Sequence, residues 1–442
     1  MKPIDFIHEL SWQYIPNDVQ RQVKRCLLDT IGTAIAGRKT RLSQIIYEFV
    51  CDVFGGQGAI LWLDGREVSP VGAALAHGMT IDALDIHDNF NQAKGHAGVA
   101  IVPAALGALG FNKTSENSGQ ELLTAITVGY EIALRAGVAL HATACDYHTS
   151  GAWNALGCAA VVARRLHLSR EKTHHALGIA EYHGPRSQMM RCIEYPTMLK
   201  DGSGWGAMAG VSAALLAHKD FTGAPAITVE SPEVSEIWTS IGASWYIMEQ
   251  DFKRYPVCHW AQPPITGTID LMNSHRIMLE DIQSIQVFTF HEATRLSRRH
   301  PTTTEQAQYS LSFPLAAAVI CGDLGLDEVS GEALTNQRIL ELTNRIEIFE
   351  DEYCNNQFPE QQLARVKIST HDGCIYKSGI VESPWDQSAI RQPHQPPDQE
   401  LRDKFHRLVS DALSEARAMA LEEKMLHCDH IPDANSLIEL LT

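Results

Sequence analysis

Basic residues are scarce in this chain of 442 residues: 36 Lys and Arg face 53 Asp and Glu, a formal charge of −17. A nucleic-acid surface needs clustered cations to neutralise phosphates, and a membrane-surface segment needs a polybasic run, so neither partner is expected. Paired cysteines are also missing. The ten cysteines (Cys26, Cys51, Cys145, Cys158, Cys192, Cys258, Cys321, Cys354, Cys374, Cys428) contain no Cys-x-x-Cys pair. That argues against a zinc ribbon or a redox dithiol and for free thiols in a reducing cytoplasm. The longest apolar run, Gly98 to Phe111, carries Pro103 and is too short to span a bilayer. The Met1-Lys2-Pro3-Ile4-Asp5 start shows no secretory pattern. What is present is an ordinary globular composition, 45% hydrophobic and 20% charged, which excludes disordered, collagen-like and coiled-coil chains. At roughly 150 residues per domain, the length suggests two or three domains.

The first two-thirds reads as successive helices. From Val19 the apolar positions follow i, i+3/i+4 spacing as far as Ile35, with Asn17 or Asp18 as N-cap and Gly37 as the stop. Further helices are expected over Val71–Ile86, Gln120–Ala144, Ala152–Leu166, Arg170–Ala180 and Trp205–Ala217, with a hairpin-like break over Ile60–Val68. After about Ile277 the period changes. Ile285–Phe290 and Ala364–Thr370 alternate as strands, and an Asp372-Gly373 turn leads to Cys374-Ile375-Tyr376. Ser310–Leu324 and Gly331–Arg345 between them look helical. The expected fold is mainly α: a large all-helical domain over residues 1–265, and a smaller α+β lid domain over 266–392. A linker from Pro384 to Pro397 then leads to a C-terminal segment, 393–442, that packs back on the helical domain.

Four polar segments stand out. Asp82, Asp85 and Asp88 are three apart and would share one face at a helix end. There, mutual repulsion and the negative dipole end should raise their pKa values toward those of a general base. His96 follows as a second proton carrier, although an ordinary polar helix end, or an Asp-x-x-Asp magnesium site, would use the same residue types. His148 precedes the Ala- and Gly-rich helix starting near Gly151, whose N-terminal amides favour an anion; a plain Thr149 or Ser150 cap is the simpler reading. Lys200 leads a glycine-rich turn without the Gly-x-x-x-x-Gly-Lys pattern, which suits a carboxylate better than a nucleotide. Lys253 and Arg254 sit just before the change of period and form a candidate anion clamp.

Taken in order, Ala83-Leu84-Asp85 with His96, Val102-Pro103-Ala104-Ala105-Leu106, His148-Thr149-Ser150-Gly151, Leu199-Lys200 through Gly210, and Tyr255-Pro256-Val257-Cys258 resemble the MmgE/PrpD family. Its members include 2-methylcitrate dehydratase, cis-aconitate decarboxylase and iminodisuccinate epimerase. The resemblance implies a helical domain closed by an α+β lid, a homodimer, no metal or organic cofactor, and a pocket between the two domains. It places catalytic residues at Asp85, His96 and His148 and substrate-binding residues at Asn89, Lys200 and Lys253. The implied activity is that of a lyase taking a proton next to a carboxylate of a small polycarboxylic acid, in the manner of 2-methylcitrate dehydratase. An epimerase of a related acid and a silent polycarboxylate-binding relative are the alternatives. Here the usual Asp-Phe-Asp-Asp run is Asp85-Ile86-His87-Asp88, and His96-Ala97-Gly98 lacks the usual proline. The Asp85 to His96 spacing is one residue longer than in the decarboxylase-like members and looks more like the epimerase.

Overall fold

The computed structural model describes residues 1–111, 117–385 and 396–442. Most of the expected linker, and with it the boundary near 393, lies outside the described residues. The fold is mainly helical, with a four-stranded sheet confined to the C-terminal part.

In the first part the helix Gly119–Thr143 has side chains buried almost throughout. This helix has the length and mean hydropathy (1.4) to cross a bilayer, but 94% of that window is buried inside the molecule, so it serves as the axis of a bundle. Gly98–Gly107 and Gly151–Arg165 pack on it, Ser203–His218 packs on Gly151–Arg165 in turn, and all three are rich in Ala and Gly. Small residues decide how closely these helices approach. A Cβ on Gly78, in the helix Pro70–Asp82, would lie 2.6 Å from the Gly204 Cα, so only glycine lets this helix cross the start of Ser203–His218. Ser69 caps Pro70–Asp82 by accepting from the Gly72 amide at 3.2 Å, with Pro70 in the first turn. The hairpin-like break is a two-stranded ribbon, Gly55–Ile60 against Glu67–Val68.

A second hydrophobic core, separate from that of the bundle, gathers Tyr255 to Ile368 with Met189, Cys192 and Ile193. Its sheet runs in the order Ile346–Glu350, Ile282–Thr289, Ala364–Thr370, Ile375–Lys377; the first pair is parallel and the others antiparallel. Ala364–Thr370 alternates buried and half-buried positions along its length, the period-2 pattern read from its sequence. The stretch expected to be helical over Gly331–Arg345 is instead a 3₁₀ turn, Gly331–Thr335, followed by a short helix, Gln337–Thr343, capped by Asn336. The C-terminal helix Asp398–Val409 returns to the bundle, laying Phe405 and Leu408 over Gly32 of the helix Asn17–Gly37.

Candidate active site

The helix expected over Val71–Ile86 ends at Asp82. Its terminal carbonyls would need partners in any case, and here side chains from distant segments take the carbonyls just beyond the helix. Gln308 Nε2 donates to the Ala83 carbonyl at 3.1 Å, Lys253 Nζ to that of Asp85 at 3.0 Å, and Lys404 Nζ to that of Ile86 at 2.7 Å. These bonds hold the chain in an irregular course, with Asp85 in the left-handed region at φ +50°. Lys200 shares that conformation at φ +49°. For residues with a side chain it is sparsely populated, and it persists where the surroundings impose it.

The three aspartates therefore do not share a helix face. Asp82 accepts from the Asp201 and Ser203 amides at 3.2 and 3.4 Å, at the start of Ser203–His218, where the helix offers free N–H groups. Asp88 accepts from the Tyr130 hydroxyl at 2.6 Å and the Gly98 amide at 3.3 Å. Only Asp85 joins the expected lysine and histidine. Lys253 Nζ donates to its Oδ1, and His96 Nε2 stands 3.7 Å from the same oxygen.

The expected rise in carboxyl pKa occurs at two of the three, for a reason other than the helix end. Burial pushes Asp82 up to about 6 and Asp88 to about 7. At Asp85 burial also works upward, but Lys253 and Lys200, with His96, outweigh it and hold the carboxyl below its ordinary range. Asp85 is thus an ionised group with depressed basicity. His96 is pushed down to about 3, first by burial and then by Lys253, so its imidazole is neutral. Its Nδ1 lies 2.6 Å from the Asp88 carbonyl, a partner that can only accept, which places the proton on Nδ1 and leaves the Nε2 lone pair facing Asp85.

His96 is fixed from several sides. Its amide donates to Ser150 Oγ at 3.0 Å, its carbonyl accepts from Asn154 Nδ2 at 2.9 Å, and Ser150 Oγ in turn donates to the Asp201 carboxylate. Ser150 consequently does not cap the following helix, and the first amide of that helix, Gly151, donates to the Asp201 carbonyl at 3.3 Å. The N-terminus expected to hold an anion near His148 is thus partly engaged by the protein itself.

Lys200 is also buried; its Nζ donates to Gln308 Oε1 at 2.5 Å and lies 4.7 Å from the Tyr309 ring centroid. The structure brings together Asp85, His96 and Lys253 by contact, with Lys200 close enough to act on the Asp85 charge. Among the described residues, His148 hydrogen-bonds to none of these. Its Nδ1 lies 2.8 Å from the Asp146 carbonyl, its amide donates to His141 Nε2 at 3.2 Å, and it stands two residues before the Ser150 that holds His96. The Asn89 side chain donates to Asn91 Oδ1 at 2.8 Å. Its backbone pairs in both directions with Asp251, two residues before Lys253, so its visible role is to position that lysine.

Asp85, His96, His148, Lys200 and Lys253 are all buried, and Gln308 and Tyr309 cover Lys200 from the side of the second core. A cavity of about 550 Å³ lies between the bundle and the second core. Leu84, Ile86 and Arg254, the sequence neighbours of Asp85 and Lys253, line it, but none of the six candidates does. As to a metal, Asp85, His87 and His96 each offer one ligand atom, all within 4.8 Å of one another, although Lys253 already occupies Asp85 Oδ1.

Sequence reasoning missed Gln308 and Tyr309, which carry no motif and reach the site only through the fold. It also missed the Ser150–Asp201 support, for which the neighbouring His148 and Lys200 segments were the available signal.

Comparison with known proteins finds relatives that match nearly the whole chain. Cis-aconitate decarboxylase of Aspergillus terreus is 22% identical over 471 residues, covering 98% of this chain and 93% of that protein. Human cis-aconitate decarboxylase is 24% identical over 468 residues, covering 98% and 92%. A probable 2-methylcitrate dehydratase of Saccharomyces cerevisiae is 23% identical over 405 residues, covering 81% and 76%. The MmgE/PrpD N-terminal domain matches residues 4–237 and the MmgE/PrpD C-terminal domain residues 255–428, and the chain therefore belongs to the MmgE/PrpD family.

Proposed function

We propose that this enzyme is a lyase that takes a proton from the carbon next to a carboxylate of a small polycarboxylic acid and expels hydroxide as water, in the manner of a 2-methylcitrate dehydratase. The observation that carries the reading is the buried set of Asp85, His96 and Lys253 with Lys200 beside it. Two buried ammonium groups suit a multiply charged acid, because their attraction for carboxylates is weakly screened away from water.

Neutral His96 is the base in this reading. Its Nε2 lone pair takes the proton, the C–H electron pair passes to the carbon and its carboxylate, and Lys253 and Lys200 offset the charge that develops. The new imidazolium then faces ionised Asp85, which stabilises it only once the proton has moved. Negative charges of a bound acid beside the ring would raise its pKa from about 3 toward a value fit for catalysis. The same imidazolium can return its proton to the departing hydroxyl, so that water leaves and the carbon pair forms the double bond. His148 assists from outside this contact.

A second reading, an epimerase, is favoured by the longer Asp85 to His96 spacing; there the imidazolium returns the proton to carbon. Between the two residues the chain makes a tight turn closed by the Phe90 and Gly95 backbones. A homodimer is part of the proposal: Tyr195 and Leu199, 72% and 71% exposed beside the Lys200 turn, offer apolar surface to a second copy, which light scattering would detect.

The test is incubation in deuterated water with citrate, methylcitrate, cis-aconitate and iminodisuccinate. New ultraviolet absorbance supports the dehydratase, deuterium at carbon without absorbance supports the epimerase, and carbon dioxide release identifies a decarboxylase. None of these with any of the acids refutes the proposal.

A further inference from the structure

His87 is the one residue of the irregular segment between Asp82 and His96 whose place the proposed chemistry leaves unexplained. Its side chain is fully buried, and among the described residues neither ring nitrogen has a hydrogen-bond partner. Burying an imidazole with both nitrogens unanswered costs free energy that folding does not recover unless something else fills the place. The ring does not face bulk core. It meets the His96 ring edge-on at 4.5 Å between centroids, and one of its nitrogens lies within 4.8 Å of both an Asp85 oxygen and a His96 nitrogen. His87 therefore looks onto the spot where the proposed base acts.

We propose that His87 is a substrate-binding residue, donating a ring N–H to an oxygen of the bound polycarboxylate beside His96. The inference rests on the reading of the site given above and adds a contact to it. The surroundings decide which kind of occupant the orphaned nitrogens await. The ammonium groups of Lys253, Lys200 and Lys404 all act on His87, as does His96, and burial first and these charges after it keep the ring neutral. A divalent cation would meet three positive charges and would have to displace Lys253 from Asp85 Oδ1. An anionic oxygen meets the attraction of three lysines against the single negative charge of Asp85, which Lys253 already pairs, and a neutral imidazole offers it a donor on one nitrogen while the other remains free for a hydroxyl or a water. The contact also supplies discrimination: an acid lacking an oxygen at that point would leave the buried donor unanswered.

The test uses the full chain and isothermal titration with citrate and with cis-aconitate, comparing wild type, His87→Phe and His87→Asn. Circular dichroism and the unfolding midpoint report whether each variant is folded. Wild type should bind at least one of the acids. His87→Phe should bind it tenfold or more weakly, and His87→Asn, which keeps a donor near the same place, should recover most of the affinity. In turnover the loss should fall mainly on KM. A His87→Phe affinity within threefold of wild type overturns the inference while leaving the proposed function standing. Zinc binding by wild type that His87→Asn abolishes, with citrate affinity unchanged, also overturns it, in favour of a cation site. If wild type binds neither acid, the reading of the site fails and the inference with it.

Discussion

The segment from Asp82 to Gly98 separates two buried clusters of charge that differ in how completely the protein answers them. On one side Lys404 donates to Asp29 Oδ1 at 2.5 Å and to the Ile86 carbonyl, while both oxygens of neighbouring Asp88 accept from Tyr130 and Gly98. On the other side Lys253 holds Asp85, His96 Nε2 stands 3.7 Å from Asp85 Oδ1, and among the described residues neither His87 nitrogen has a hydrogen-bond partner. Both clusters perturb pKa values strongly, so perturbation alone does not tell a working site from a structural one. Orphaned atoms occur in both as well, Asp29 Oδ2 in the first and both His87 nitrogens in the second; what differs is that the second holds a whole ring without a partner beside a histidine whose Nε2 faces an ionised carboxylate. The Asp29–Lys404 cluster ties the helix Asp398–Val409 to the bundle; the Asp85–Lys253 cluster is the one the proposed chemistry uses.

Substitutions should separate the two. Asp85→Asn is expected to lower kcat/KM by ~10²–10⁴ fold, within the range for loss of a group acting on proton transfer, with the far-ultraviolet dichroism retained. Steady-state kinetics on the acid that wild type converts would check it, and near-normal turnover would place Asp85 with the structural cluster. Lys404→Met should do the opposite. It leaves Asp29 charged and buried without its partner, which costs about 3–5 kcal/mol of stability, measurable by urea unfolding, with little change in citrate affinity. A polycarboxylate at 100 times its dissociation constant should stabilise wild type by about 2.7 kcal/mol. Lys200→Met should lose most of that increment in a thermal-shift assay, while the Lys404→Met variant keeps it.

How much of this was legible in the sequence depends on where each residue's partner lies. The helices over Gly119–Thr143 and Gly151–Arg165 and the strand Ala364–Thr370 follow local periodicity, and their observed bounds fall within a residue or so of the reading. Asp85, His96 and Lys253 were recognisable from segments that keep their order along the chain. The end of the helix at Asp82 was not, because its cause is three side chains, Lys253, Gln308 and Lys404, arriving from segments 168 to 318 residues away from the carbonyls they take. For the same reason the low pKa of Asp85 was missed: proximity of like charges along the sequence suggested a rise, while lysines distant in sequence impose a fall. His148 shows the converse, a motif residue whose side chain turns to its own loop.

The smallest expected effect concerns pH. Burial holds His77 and His96 down to about 3 and His141 and His259 to about 4, and it lowers His87 as well. Below the ordinary histidine value of 6.5 the unfolded chain binds protons at these positions while the folded chain does not, so stability is lost as pH falls from 6.5 toward 4. Asp82 and Asp88, raised to about 6 and 7, and Asp201, raised also, act in the other sense and soften the loss, because their folded forms take up protons first. Urea midpoints at pH 6.5, 5.5 and 4.5 should decline. His77→Gln, which keeps an acceptor for the Trp62 amide, should flatten the slope by up to about 1.4 kcal/mol per pH unit, the contribution of a single proton.

The central claim is that His96 Nε2, in the incompletely answered cluster, takes a proton from carbon. Mass spectrometry of deuterium incorporated into the converted acid or its product in deuterated water tests it most directly, with wild type compared against folded His96→Ala. The account predicts carbon-bound deuterium with wild type and at least a hundredfold slower incorporation with the variant. Incorporation by His96→Ala at the wild-type rate would contradict it.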